Sequence, residues 1–386
     1  MRVVVVAGPE AGHAFPALAL CLRFREAGDH PVLMTGTQWL DNARRAGVEA
    51  VELTGLDPGD SDDNDAGAKI HQRAARMAVA NLPALRRCAP DLVVSDVITA
   101  CGGMAADLLG VPWVELSPHP LYLPSRGLPP VGSGLAPGTG PLGRLRDSAL
   151  RVLTARSVRA GERQRSWARR QIGLPGRDPG PRRRLIATLP ALEVPRPDWP
   201  AEAVVVGPLH FEPTGAVLPI PPGEGPVVVV APSTAVTGTG GLAELALREL
   251  VPGRTLPAGA RLVVSRIAGD DIEVPPWASA GLGRQDELLR AADVVICGGG
   301  HGMLSKTLLA GLPMVVVPGG GDQWELANRV VRQGSARLVR PLTGDALAAA
   351  VGEVISAPGY REAAHRAARG IAEVADPVRV CHEAAG

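Results

Sequence analysis

Two runs of four consecutive valines, "RVVVVA" at residues 2–7 and "VVVVAP" at 227–232, constrain this chain more than any other feature. A short, uninterrupted β-branched run reads as a strand covered on both faces, as in a parallel sheet between helical layers. Each run opens a series. After the first comes a helical pattern from Ala14 to Ala27, with Phe15, Leu18, Ala19 and Leu22 at i, i+3, i+4 and i+7. "PVLMTG" (31–36), a short helix near 39–46, "VEAVEL" (48–53), "DLVVSD" (91–96) and "VPWVEL" (111–116) follow. After the second come "ARLVVS" (260–265), "ADVVIC" (292–297), "PMVVVP" (313–318) and "ARLVR" (336–340), with helices between. This alternation predicts two α/β halves, each a parallel sheet with helices on both faces. A length of 386 residues also suits two domains.

The proline-rich stretch "VGPLHFEPTGAVLPIPPGEGP" (206–226) has little periodicity and reads as a linker. The expected division is an N-terminal domain over 1–206, a linker over 207–225 and a C-terminal domain over 226–386. A last helix, at about 359–375, is expected to pack back on the N-terminal domain. Two stretches interrupt the alternation. The acidic "GLDPGDSDDNDAGAK" (55–69) reads as a mobile loop. Residues 117–143 form a longer irregular segment, and loops of this length inside domains are usually functional. An Arg-rich helix over about 144–172 reads as a solvated amphipathic helix.

Composition narrows the possible functions. Net charge is +1 and aromatic residues make up 3%, which gives no global case for nucleic acid or an anionic membrane. No apolar stretch is long enough to span a bilayer. The five cysteines are scattered without a CxxC, so neither a disulfide framework nor a metal site is expected. A reducing cytoplasm fits, and the N-terminal apolar run is too short for a signal peptide.

In open α/β sheets, ligands bind at the carboxyl ends of the strands, and four loops there carry chemistry. In "GPEAGHAFPALAL" (8–20), His13 lies at a helix start with Pro16 in the first turn. It is either a general base, kept neutral by the helix dipole, or a capping histidine. Asp96 ends a strand, where a carboxylate can orient an imidazole or cap the next helix. In "CGGGHGMLSKT" (297–307), the backbone N–H groups of Gly300, His301, Gly302 and Met303 could face an anion, or the glycines could simply make a tight turn. A phosphate loop of the GxxxxGK[ST] type is a poor match, because Ser305 takes the required glycine position. In "PGGGDQWELANRV" (318–330), Asp322 and Gln323 could hold adjacent sugar hydroxyls, or Asp322 could cap a helix.

Taken together, "GHAFPALAL", "PDLVVSD", "GLPPVGSGLAPGTGPLGRLRD", "WPAEAVVVGPL" and "AGLPMVVVPGGGDQWELANRV" resemble the nucleotide-sugar-dependent glycosyltransferases of actinobacterial natural-product pathways. The first fifty residues are also similar to the transferase that adds N-acetylglucosamine to a lipid-linked cell-wall precursor. The resemblance implies the GT-B architecture, two facing Rossmann-like domains with parallel sheets and a cleft between them. It implies an inverting transfer from a UDP- or TDP-type sugar to a hydroxyl of an apolar small molecule. His13 matches the general base and Asp96 its supporting carboxylate. Ser233, Thr234, Gln285, Gly300, His301, Gly302, Met303, Asp322 and Gln323 match the donor side. Phe15, His119, Leu121 and Tyr122 fall on the acceptor side. No metal and no cofactor beyond the sugar nucleotide is implied, and a homodimer is compatible with the pattern.

Four positions depart from that pattern. Gly298 stands where a His touches the diphosphate, and Met303 where a hydroxyl residue is usual. Lys306 stands where a Glu binds the ribose, and Leu282 where a Trp stacks on the base. They motivate one alternative, a non-catalytic transferase-like partner protein; a sugar-nucleotide epimerase of similar architecture is a third reading, for which the sequence supplies no convincing acid/base set.

Overall fold

The structure, a computed structural model, describes residues 1–56, 66–235, 238–267 and 272–386, with backbone alone at 66–69. The first half holds β1 (Arg2–Val6), α1 (Ala11–Glu26), β2 (His30–Thr35), α2 (Leu40–Arg45), β3 (Glu49–Glu52), α3 (Ala66–Cys88), β4 (Leu92–Asp96), α4 (Cys101–Leu109), β5 (Trp113–Ser117), α5 (Gly140–Gln171), β6 (Arg183–Ile186) and β7 (Ala203–Val205). Its sheet runs β3-β2-β1-β4-β5-β6-β7, parallel throughout. The second half holds β8 (Val227–Ala231), α6 (Leu242–Glu249), β9 (Arg261–Ser265), β10 (Ala278–Gly281), α7 (Gln285–Ala291), β11 (Val294–Cys297), α8 (His301–Leu309), β12 (Met314–Val316), α9 (Asp322–Gln333), β13 (Ala336–Leu338), α10 (Gly344–Ser356), α11 (Pro358–Arg369) and α12 (Pro377–Ala385). Its sheet runs β10-β9-β8-β11-β12-β13, again parallel.

The valine runs do what their composition demands. In β1, Val3 and Val5 enter the core beneath α1, while Val4 and Val6 enter the core beneath α3 and α4. In β8, Val227 and Val229 face one layer, Val228 and Val230 the other. Alternate side chains of a strand point to opposite faces, so only a strand covered twice can be valine throughout. Each fully buried valine stabilises the fold by about 1.5–3 kcal/mol.

The order of strands reverses between β1 and β4 in one half and between β8 and β11 in the other. These reversals open a crevice at the carboxyl ends. Helix α1 starts at Ala11, earlier than its apolar periodicity suggests, because the Glu10 carbonyl already accepts from His13 N and Ala14 N. Pro16 therefore lies in the second turn, not the first, and withholds one helical hydrogen bond there.

Residues 207–225 cross between the halves without regular structure. Phe211 packs on the first core, Leu218 and Ile220 on the second. The segment expected as one helix over 359–375 divides into α11 and a 3-10 turn at Gly370–Glu373. The element that returns to the first half is α12, started by Pro377 and capped by Asp376, whose carboxylate accepts from Val378 N at 2.8 Å. Val380 and Cys381 of α12 join the core under β1, and His382 Nε2 meets Asp29 Oδ2 at 2.7 Å. The acidic loop expected at 55–69 lies mostly outside the described residues.

Candidate active site

At the first reversal, His13 Nδ1 donates to Asp96 Oδ2 at 2.7 Å. Asp96 is buried at the end of β4, and its other oxygen accepts from Ile98 N at 3.0 Å and Thr99 Oγ1 at 3.3 Å. One carboxylate thus serves both roles open in the sequence, shaping the turn before α4 and holding the imidazole. Because a carboxylate only accepts, the Nδ1 proton is fixed and the neutral ring keeps its lone pair on Nε2. Burial acts to lower the His13 pKa. The charge and hydrogen bond of Asp96, with Glu10 and Asp322, outweigh it, so the net shift is upward from 6.5. The helix dipole invoked from the sequence does not decide the matter.

His119, just past β5, lies edge-on to His13 with ring centroids 6.4 Å apart. It stacks on Tyr122 at 4.3 Å. Burial pushes its pKa down, and His13 adds to that effect. Burial also pushes the Tyr122 phenol well up, with Asp322 contributing. The hydroxyl of Tyr122 is buried without a partner among the described residues. Asp322 starts α9 in the second half, yet its charge acts on His13, His119 and Tyr122. The two halves therefore face each other across these groups.

At the second reversal, β11 is followed by Gly298, Gly299 and Gly300, and α8 starts at His301 with no side-chain cap. A Cβ at Gly300, Gly302, Gly320 or Gly321 would meet nothing within 4 Å. Open space thus lies against the uncapped N–H groups of α8, a ready seat for an anion. Among the described residues, no group of three or more His, Cys, Asp or Glu could hold a metal ion.

Residues 283–378 match the glycosyltransferase family 28 C-terminal domain. The chain is 28% identical to the 4'-demethylrebeccamycin synthase of Lentzea aerocolonigenes, over 95% of this chain and 94% of that protein. The chain thus carries a glycosyltransferase family 28 C-terminal domain and has the GT-B fold. Its fold is that of the spinosyn forosaminyltransferase SpnP (TM-score 0.75, 19% identity, 100% of each chain). It is likewise that of SsfS6, a glycosyltransferase of Streptomyces sp. SF2575 solved with thymidine diphosphate (TM-score 0.68, 20% identity, 99% of each chain).

Within this GT-B fold, several site residues expected from the sequence are engaged elsewhere. Gln323 is only 2% exposed, donates to Ser233 Oγ at 2.8 Å and accepts from Gly319 N at 3.1 Å. It ties the loop after β8 to the loop after β12, leaving Asp322 exposed as the carboxylate on the open side. Thr234 is exposed next to Ser233. His301 turns its side chain across the cleft to Thr188 Oγ1 at 2.8 Å, so only its backbone faces the cradle. Met303 packs against the second core. Phe15 is taken up by Trp39 and Phe211, with centroids 4.7 and 5.7 Å away. Leu121 is buried with Ile186 and Ala203.

The departures have physical partners. A Cβ at Gly298 would lie 2.8 Å from Ser233 Cβ and 3.0 Å from Ser233 N. No side chain fits there while the Ser233 loop stands where it does. Lys306 Nζ pairs with Glu212 Oε1 at 2.5 Å and donates to Gln285 Oε1 at 3.0 Å. Gln285 N donates to the other Glu212 oxygen at 2.9 Å. A carboxylate thus stands beside residue 306 after all, supplied by the linker. His210 of the same linker meets Ser305 Oγ at 2.9 Å. Sequence reasoning missed Glu212, His210 and Thr188. The only signal was a charge and an imidazole in "LHFEPTG", inside a stretch otherwise read as a spacer.

The irregular segment after β5 bridges the halves. Gly134 N donates to Glu325 Oε2 at 3.0 Å, Trp324 Nε1 to Ser133 O at 3.2 Å, and Arg332 Nη1 to Gly134 O at 2.8 Å. Gly134 has φ +69°, and a Cβ there would lie 2.4 Å from Trp324 Nε1, so both conformation and space require glycine.

Proposed function

We propose that this protein is an inverting, metal-independent glycosyltransferase that moves a sugar from a UDP- or TDP-type donor to a hydroxyl of an apolar natural product. The observation that carries the reading is the His13–Asp96 pair, at 2.7 Å, set opposite Asp322 and the open N-terminus of α8. His13 Nε2 takes the proton of the acceptor hydroxyl, and Asp96 holds the ring and offsets the imidazolium charge that forms. The acceptor oxygen bonds to the anomeric carbon from the face opposite the leaving group, so configuration inverts. The bond from that carbon to the diphosphate oxygen breaks, and its electron pair leaves with the nucleoside diphosphate. The backbone N–H groups at Gly300–Met303 stabilise that charge, as a preorganised oxyanion site does. Asp322 holds donor-sugar hydroxyls, while Gln323 positions the Ser233 loop. Tyr122 and His119 wall the acceptor. No cofactor beyond the sugar nucleotide is invoked. The thymidine diphosphate held by SsfS6 and the rebeccamycin-type relative support the donor and acceptor classes.

The test is a product screen by mass spectrometry, pairing UDP- and TDP-sugars with polyaromatic and macrolide-type aglycones. Product mass equal to acceptor plus sugar less one water is the expected result, with nucleoside diphosphate released only when acceptor is present. Conversion of the donor, without acceptor, into an isomeric sugar nucleotide of the same mass would point to an epimerase instead. The close approach of Ser233 to Gly298 favours one second reading, a transferase-like protein that acts through a partner. Thermal shift against UDP and TDP separates the two. A ligand at a hundredfold excess over its Kd stabilises by about 2.7 kcal/mol, and no shift with either would favour the partner role.

A further inference from the structure

One surface outside the cleft has no use in the transfer reaction. Helix α5 carries nine arginines against one aspartate and one glutamate, although the chain's net charge is only +1. Its first half is also apolar on the outside, with Leu142, Leu145, Val152 and Leu153 exposed at 82%, 66%, 73% and 74%. With Ala149 they recur at helical spacing and form one stripe. Trp167, also exposed, lies about four turns past Leu153 on the same face. The ion pairs of this helix involve Arg146, Arg165 and Arg169, which leaves Arg156, Arg159 and Arg163 unpaired among the described residues.

Exposed leucines in one stripe mark an interaction surface, and charge decides its partner. A second copy packed on this stripe would set arginines against arginines. Among the described residues the stripe itself offers no carboxylate in return, because Asp147 is buried under Arg146 and Gly138, and the single Glu162 lies off the stripe beside Arg159, outnumbered by the arginines. An anionic lipid surface satisfies both features, leucines and tryptophan at the acyl boundary and guanidinium groups among the headgroups. We propose that α5 is an interfacial helix that docks this protein on anionic lipid. The same helix segment holds the acceptor-side loop. Arg146 Nη2 donates to Ala136 O at 2.7 Å, Arg151 Nη1 to Leu128 O at 2.9 Å, and Asp147 accepts from Gly138 N at 2.7 Å. Docking therefore sets the wall of the acceptor side at the surface where an apolar acceptor concentrates.

The test is co-sedimentation of the full chain with phosphatidylcholine vesicles, with and without phosphatidylglycerol. Binding to the anionic vesicles alone is expected, weakening as salt rises. Replacing Leu142, Leu145, Val152 and Leu153 by serine should abolish it. Arg156→Gln, Arg159→Gln and Arg163→Gln together should weaken it about a hundredfold, at roughly fivefold per charge. All seven side chains are exposed, so unchanged circular dichroism and Tm show that the variants still fold. The proposal fails if wild type binds neither vesicle, binds both equally, or binds no better than the variants. It also fails if sedimentation equilibrium without lipid shows a dimer that the serine variant abolishes, since the stripe would then serve a second copy.

Discussion

The reversal at β1/β4 and the reversal at β8/β11 are built alike but use their side chains differently. At the first, the proposed chemistry sits in two side chains, His13 and Asp96, with the carboxylate buried and bonded on both oxygens. At the second, the open space is bounded by glycines and an uncapped helix start, while nearby side chains bond to one another. A proton transfer needs a group of suitable basicity at one point, so its side chain cannot be exchanged. A diphosphate needs only N–H groups in the right direction, and every residue except proline supplies one. Gly298, Met303 and Lys306 can therefore differ from the family pattern without closing the anion seat.

The sharpest way to break this comparison is His13→Ala. Turnover should fall at least about a hundredfold, as for loss of a general base, while the thermal shift with nucleoside diphosphate stays as in wild type. Comparable losses in both would mean that the two reversals are not separable. Asp96→Asn sharpens the same point. In wild type, kcat/KM should fall as pH drops through the raised His13 pKa, since only the neutral ring accepts a proton. With the Asp96 charge gone, burial is opposed only by Glu10 and Asp322, so the acid limb should move to lower pH. An unmoved limb would assign it to another group.

At the second reversal, Gly298→Ala drives a Cβ to within 2.8 Å of Ser233 Cβ. Overpacking of this kind costs about 1–3 kcal/mol, read as a lowered urea midpoint. Full stability would mean that the Ser233 loop moves freely, and a larger side chain could then be accommodated. Glu212→Gln leaves Lys306, 12% exposed, facing only neutral partners. The expected loss is about 1–3 kcal/mol, the penalty for an uncompensated, partly buried charge.

Much of this was legible in the sequence, for reasons that individual residues make plain. Val3 to Val6 could only be a strand covered on both faces, and Asp96 at the end of "DLVVSD" could only lie at a carboxyl edge. Strand ends follow from local pattern plus the rule for open sheets, whereas the pairing of His13 with Asp96 is implied only by the family resemblance. Contacts between segments far apart in sequence do not. Nothing in "PGGGDQW" says that Gln323 is spent on Ser233, ninety residues earlier. Nothing around Lys306 says that Glu212 will reach it. Phe15 fits an acceptor wall by position, and only the packing of Trp39 and Phe211 shows it is already covered. Alternation reports burial along one element, whereas these pairings depend on how two halves meet.

That meeting surface carries the smallest predicted effect. His301 and His210 bridge the halves through Thr188 and Ser305, and burial depresses both imidazoles. For His210, burial and then Lys306 lower the pKa from 6.5 to about 3. A histidine held neutral in the folded state takes up protons more readily when unfolded. Its contribution is therefore present above about 6.5 and is lost as pH falls from there toward 3. Over the unit from pH 6.5 to 5.5, the loss is about 1 kcal/mol by linkage. His13 acts with the opposite sign, because its folded pKa is raised. Comparing His210→Asn with wild type in urea at the two pH values cancels His13, which both proteins share. The variant should lose less stability across that step, by about 1 kcal/mol. Equal losses would mean that His210 is already protonated or exposed at neutral pH, and that the linker does not seal the two halves where its imidazole meets Ser305.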